Sequence, residues 1–167
     1  MYRILIADDE GLMLEAFKGI ILAEFGEKCI VETAKTGRVV IEKAETFHPD
    51  IVFMDICMPE MDGLAMIAAI HSQFPDLEVC VLTGYRDFEY AKEAIRLGVT
   101  RFLLKPSNMD ELEEAIGKMC GNLKRKGITG DEPKRDPQDD EAAEAHKESA
   151  SSSVARRQRK RMSASGN

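Results

Sequence analysis

The chain has 167 residues, 44% of them apolar, and a formal net charge of −7. That length allows one ordinary domain and a tail, and no apolar run approaches the roughly 20 residues of a membrane span. Residues 1–120 carry 12 Lys/Arg against 22 Asp/Glu, a net of −10, while residues 121–167 carry 11 against 8, and so acidic a body argues against nucleic-acid binding by the body itself.

In chain order, the first expected element is an apolar strand over Tyr2–Ala7 that stops on Asp8-Asp9-Glu10. Met1 is followed by Tyr2-Arg3 and only this short run, which is not a secretory signal pattern, so a cytoplasmic location is expected. Met13, Phe17, Ile20 and Ile21 then recur at helical spacing as far as Gly26. A second strand is expected over Cys29–Thr33. A second helix carries Val40, Ala44 and Phe47 and ends before Pro49. The third strand, Ile51–Met54, is continuously apolar and halts on Asp55. Cys57 and Pro59 lie in the loop, and Asp62-Gly63 opens a third helix, with Asp62 as its cap. That helix presents Ile67, Ile70 and Phe74 and stops at Pro75.

A fourth strand over Val79–Leu82 ends on Thr83-Gly84. Phe88, Ala91 and Ile95 mark a fourth helix, closed by Gly98. The fifth strand, Arg101–Leu104, ends on Lys105-Pro106. Asn108 with Glu111 forms a capping-box pattern ahead of a fifth helix with Leu112, Ile116, Met119 and Leu123. Five continuous apolar strands alternating with five helices imply a parallel sheet covered on both faces.

Residues 124–167 change character. They are rich in Lys, Asp, Glu, Pro, Ser and Ala and poor in large apolar residues, so they are expected to be disordered. The boundary falls after residue 123. The basic run Arg156-Arg157-Gln158-Arg159-Lys160-Arg161 reads as a solvated end, with nucleic-acid binding as the alternative. No helix-turn-helix pattern is visible there. The four cysteines form no CxxC pair, so neither zinc nor a disulfide framework is expected. His48, His71 and His146 have no metal or triad spacing.

A parallel sheet brings its carboxyl ends to one rim, where ligands gather. That rim collects Asp8, Asp9, Asp55, Thr83 and Lys105. Like-charged carboxylates at one spot call for a cation, and a hard oxygen site suits Mg²⁺. Lys105 suits a phosphoryl oxygen as a point charge, and Thr83 can donate a hydrogen bond to another. Asp55 can attack phosphorus and become an acyl phosphate. Catalysis would then consist of alignment and charge neutralisation.

The stretches "ILIADDE", "DIVFMDICMPEMDGL", "VLTGY" and "FLLKP" closely resemble the receiver domain of bacterial two-component response regulators, over roughly residues 2–120. "TGYRDFEYAKEAIRLGVTRFLLKP" looks most like receivers that precede AraC-type helix-turn-helix domains. The resemblance implies a flavodoxin-like (βα)5 fold, strand order 2-1-3-4-5, and a receiver over residues 1–123. By position it implies Asp55 as phosphoacceptor, Asp9 as a direct Mg²⁺ ligand with Asp8 assisting, and the Cys57 backbone carbonyl as a further ligand, the thiol having no role. Thr83 and Lys105 would contact the phosphoryl group, Phe102 would be the switch aromatic, and Lys105–Pro106 would be cis. Tyr85 would tune dephosphorylation. The implied donor is a sensor histidine kinase, and the implied output is an effector protein or a self-dimer at the face formed by helix 4, strand 5 and helix 5. A stoichiometric phosphoacceptor, rather than an enzyme, is expected. The competing readings are an aspartyl-phosphate hydrolase and a DNA-binding regulator acting through the basic tail. The first is disfavoured because Cys57 stands where such hydrolases carry a second Asp.

Overall fold

The computed structural model describes residues 1–59, 62–84 and 88–130. Tyr85 and the 156–161 basic run lie outside these residues. The strands are β1 (Tyr2–Ala7), β2 (Cys29–Ala34), β3 (Ile51–Asp55), β4 (Glu78–Thr83) and β5 (Arg101–Leu104). The helices are α1 (Gly11–Phe25), α2 (Gly37–Thr46), α3 (Gly63–Gln73), α4 (Phe88–Arg96) and α5 (Met109–Arg125). All neighbouring strands pair in parallel, in the order β2-β1-β3-β4-β5, as expected.

Strand pleating sorts the core into two layers. Ile4, Ile6, Ile51, Phe53 and Leu82 face one side and pack with Leu14, Ile21, Leu112 and Met119 from α1 and α5. Leu5, Val52, Met54, Val79 and Val81 face the other and pack with Val40, Met66, Ile67 and Ala94 from α2, α3 and α4. Every residue of β3 is buried, which is why its sequence reads as an unbroken apolar run. Phe17 meets Phe53 edge-on, with ring centroids 5.2 Å apart. Burying each large apolar side chain contributes about 1.5–3 kcal/mol. Burial also pushes the thiols of Cys29 and Cys120 up, and that of Cys80 to about 12, which lowers their thiolate fraction.

The helix ends obey local chemistry. Asp62 accepts a hydrogen bond from the Leu64 amide at 3.0 Å, capping α3. Asn108 accepts one from the Glu111 amide at 2.8 Å, capping α5. Two helical stripes differ from the sequence expectation. In α1 the buried residues are Leu14 and Ile21, while Ile20 is exposed. In α4 Ala94 is buried and Ile95 is 65% exposed. The α5 stripe is buried as expected.

The ordered fold also passes the expected boundary at residue 123. α5 runs to Arg125 and closes in a Schellman turn. Gly127, at φ +79, donates its amide to Lys124 O, and the Ile128 amide donates to Leu123 O at 2.9 Å. Ile128 then packs on the α1/α5 side of the core. A glycine in the left-handed region followed by an apolar residue supplies the physical reason.

Candidate functional site

The carboxyl ends of β1, β3, β4 and β5 converge on one rim. Asp55 and Thr83 are themselves the last ladder residues of β3 and β4. Asp8 and Lys105 lie one residue beyond their strands, yet the ladder holds both. The Asp8 amide donates to Ala34 O at 3.1 Å, and the Lys105 amide to Thr83 O at 2.7 Å. The Lys105–Pro106 peptide is cis.

Lys105 joins the two buried acids. Its Nζ donates to Asp55 Oδ2 at 2.9 Å and also to Asp8 Oδ2. The second oxygen of each acid is held by backbone. Asp55 Oδ1 accepts from the Cys57 amide at 2.8 Å, and Asp8 Oδ1 from the Glu10 amide at 2.9 Å. Asp8 and Asp55 are only 3% and 5% exposed, so each needs these partners. Burial pulls the Lys105 pKa down, but its hydrogen bonds to Asp8 and Asp55 outweigh that and hold it above its ordinary 10.5. The group is therefore an ammonium at neutral pH.

Asp9 sits exposed beside this pair. Carboxylate oxygens of Asp8, Asp9 and Asp55 lie within 4.8 Å of one another. Three acids against one ammonium leave the cluster net negative, and its donors are all hard oxygens. That donor set fits a divalent cation of the Mg²⁺ type. Thr83 is 1% exposed, and its Oγ1 lies 3.9 Å from the Cys57 Sγ. The resemblance implies no role for that thiol, and no local sequence pattern points to this contact. Phe102, on β5, is half-buried against the core layer beneath α3 and α4.

Two further features were not legible beforehand. A cavity of about 140 Å³ opens between α1 and the residues after β5, lined by Asp8, Phe17, Ile20, Lys105 and Pro106. Gly63 is also more than a helix opener. A Cβ there would stand 2.7 Å from Ile56 Cα and 2.8 Å from Ile56 O, so only glycine lets α3 approach the backbone directly after Asp55. Gly63→Ala is expected to cost about 1–3 kcal/mol as an overpacked contact, checked by urea unfolding.

A doubly wound parallel sheet with an acid–lysine cluster at its carboxyl rim defines an α/β domain whose charged site lies at the strand ends, where such sheets gather ligands. The chain belongs to the response regulator receiver domain family, whose model matches residues 4–117. It is 38% identical over 128 residues to the uncharacterized transcriptional regulatory protein YesN of Bacillus subtilis, covering 77% of this chain and 35% of that protein. It is 34% identical to the chemotaxis protein CheY of Listeria monocytogenes, covering 71% of this chain and 98% of CheY. Among solved structures, the REC domain of AraT, a response regulator from Geobacillus stearothermophilus, is 35% identical with a TM-score of 0.67, covering 75% of this chain and 98% of that one. The chain spans about a third of YesN and about half of a second regulator, LnrK of Bacillus subtilis. Among the described residues, no helix is long and apolar enough to cross a membrane.

Proposed function

We propose that Asp55 is the phosphoacceptor of a two-component relay and that a sensor histidine kinase supplies the phosphoryl group. The observation that carries this reading is the Lys105 ammonium, bonded at once to Asp55 and Asp8 at the strand ends. An oxygen of Asp55 forms the new P–O bond as the P–N bond of the donor phosphohistidine breaks. Backbone contact from Cys57 and the rigid end of β3 fix the direction of attack. Lys105 and Thr83 hold the phosphoryl oxygens as charge shifts onto them. Asp8, Asp9, Asp55 and the Cys57 carbonyl would hold Mg²⁺, which supplies charge neutralisation for the acids and the incoming phosphoryl group.

The acyl phosphate is the stored signal, and its own hydrolysis is slow. Thr83 turns toward the new dianion, Phe102 repacks, and the α4–β5–α5 face changes its population of conformers. Tyr90 and Ile95 are exposed on α4 and supply apolar contact for an effector or a second copy. The location is cytoplasmic, where the kinase's catalytic part and this acceptor meet, and transcription is the controlled process. A small phosphodonor with Mg²⁺ should add one phosphoryl mass to the intact chain, and alkaline hydroxylamine should remove it. A stable adduct that resists hydroxylamine would overturn an acyl phosphate.

Thr83→Val separates acceptance from switching. Removing one hydroxyl leaves Asp55 and Lys105 in place. Phosphorylation is expected to slow by about 5- to 150-fold, the equivalent of the roughly 1–3 kcal/mol that one lost hydrogen bond costs, yet still to reach completion, while the conformational response is lost with the bond that reports the dianion. Mass spectrometry over time reads the first quantity and amide shifts around Phe102 read the second.

A further inference from the structure

The pole opposite the phosphoryl site carries a second polar cluster, and phosphotransfer makes no use of it. At its centre is Glu78, the first residue of β4, which is 4% exposed. Its Oε2 accepts from Asn122 Nδ2 at 2.9 Å and from the Thr100 hydroxyl, and its Oε1 accepts from Lys126 Nζ at 2.9 Å. The same ammonium donates to Asp76 O at 3.2 Å. Burial pushes the Glu78 carboxyl up, but the bonds from Thr100, Asn122 and Lys126 outweigh it and hold the group below its ordinary 4.5. It is charged at neutral pH.

These contacts join three elements that the sequence separates. Glu78 begins β4, Thr100 immediately precedes β5, and Asn122 with Lys126 closes α5. The chain beyond Lys126 is also held down. The Schellman turn redirects it, Ile128 enters the core, and Gly130 lies on the backbone of Met1 and Tyr2, where a Cβ would stand 3.0 Å from the Tyr2 amide nitrogen. Charge pairing, turn geometry and apolar packing therefore all act on the same five residues.

We propose that Glu78, Lys126 and the 126–130 turn form a latch that clamps the bases of β4, β5 and α5 together. The latch tethers the chain leaving the domain to the pole opposite the phosphoacceptor. Thr83 stands at the far end of β4 and Phe102 lies on β5. The latched ends are then the fixed frame against which the other ends move. This second part rests on the proposed phosphoacceptor role, and the tether does not. Glu78 is buried while about a third of the Lys126 side chain is exposed, so removing the ammonium leaves a buried carboxylate held only by Thr100 and Asn122, and the latch opens locally.

The test is amide hydrogen exchange on the full chain at pH 7, reading peptides that cover residues 124–130. Lys126→Met and the milder Thr100→Val are compared with wild type, with and without a small phosphodonor and Mg²⁺. Without donor, Lys126→Met is expected to speed exchange at Gly127 and Ile128 by about tenfold or more, and Thr100→Val by a smaller factor. With donor, wild-type exchange in this segment stays unchanged while residues around Thr83 and Phe102 respond. Wild-type rates in both variants would overturn the latch. Faster exchange at 127–128 on phosphorylation of wild type would overturn the fixed frame. Failure of the phosphoacceptor reading would appear separately, as no phosphoryl mass in any of the three proteins.

Discussion

Lys105→Met is expected to lose both stability and phosphotransfer. Its ammonium is the shared partner of Asp8 and Asp55. Removing it leaves two carboxylates facing each other, each less than a tenth exposed. Breaking a fully buried pair from one side costs about 3–5 kcal/mol. Lys105 keeps some solvent contact, with 16% of its side chain exposed, so about 2–3 kcal/mol is expected in urea unfolding without divalent ions. Mg²⁺ should restore more stability to the variant than it adds to wild type, since it meets acids with no internal counterion. Phosphorylation by a small donor should slow by about 10²–10³-fold, the usual loss for one donor aimed at developing charge. A pH signature follows from the raised pKa of Lys105. A group whose folded pKa lies above its unfolded value stabilises fully below that unfolded value, here 10.5. Its contribution is lost as pH rises through the folded pKa. Wild type should therefore lose stability above about pH 10.5 more steeply than Lys105→Met.

Removing the divalent ion is the second large effect. With a chelator, phosphorylation of the wild type should fall by at least about 10²-fold, because the incoming phosphoryl group meets an acid cluster of net negative charge. Asp9 distinguishes metal holding from general electrostatics. It is exposed, and its carboxylate lies within 4.8 Å of those of Asp8 and Asp55. Asp9→Asn should raise the Mg²⁺ needed for half-maximal phosphorylation by at least the roughly 10–100-fold that losing an outer metal-shell partner costs. Stability without metal should barely change or rise, since one repelling charge is gone. An unchanged Mg²⁺ requirement would remove Asp9 from the metal site.

The parts of the fold legible in the sequence are those whose chemistry is local. The α5 stripe has a clean helical period, and β3 is buried on both faces, so each reads correctly from its own residues. α1 does not. Leu12, Met13, Leu14, Ile20, Ile21 and Leu22 put apolar groups around most of its circumference, and Leu12 is 89% exposed in the fold. Periodicity alone then selects no single stripe. α4 hides its inward face because the buried residue, Ala94, is small. Composition changes near residue 123, and composition alone carries no sign that Gly127-Ile128 closes the helix and returns to the core.

For the site, the strand ends and elementary phosphoryl chemistry point to Asp55, Thr83, Lys105 and a hard cation, and the resemblance adds the Cys57 carbonyl and Phe102. Contacts between distant positions stayed hidden. Glu78 meets Thr100 across 22 residues and Lys126 across 48. The bar on any Cβ at Gly63 comes from Ile56, on the far side of a loop. Such contacts depend on strand order and register, which no local pattern encodes.

The most direct test of the account compares wild type with Asp55→Asn by intact mass after incubation with a small phosphodonor and Mg²⁺. The substitution keeps the shape of the side chain and its contact with the Cys57 amide, but removes the nucleophilic charge. The account predicts one added phosphoryl group on wild type and none on Asp55→Asn. An equal gain on both proteins would place the phosphoryl group elsewhere and contradict it.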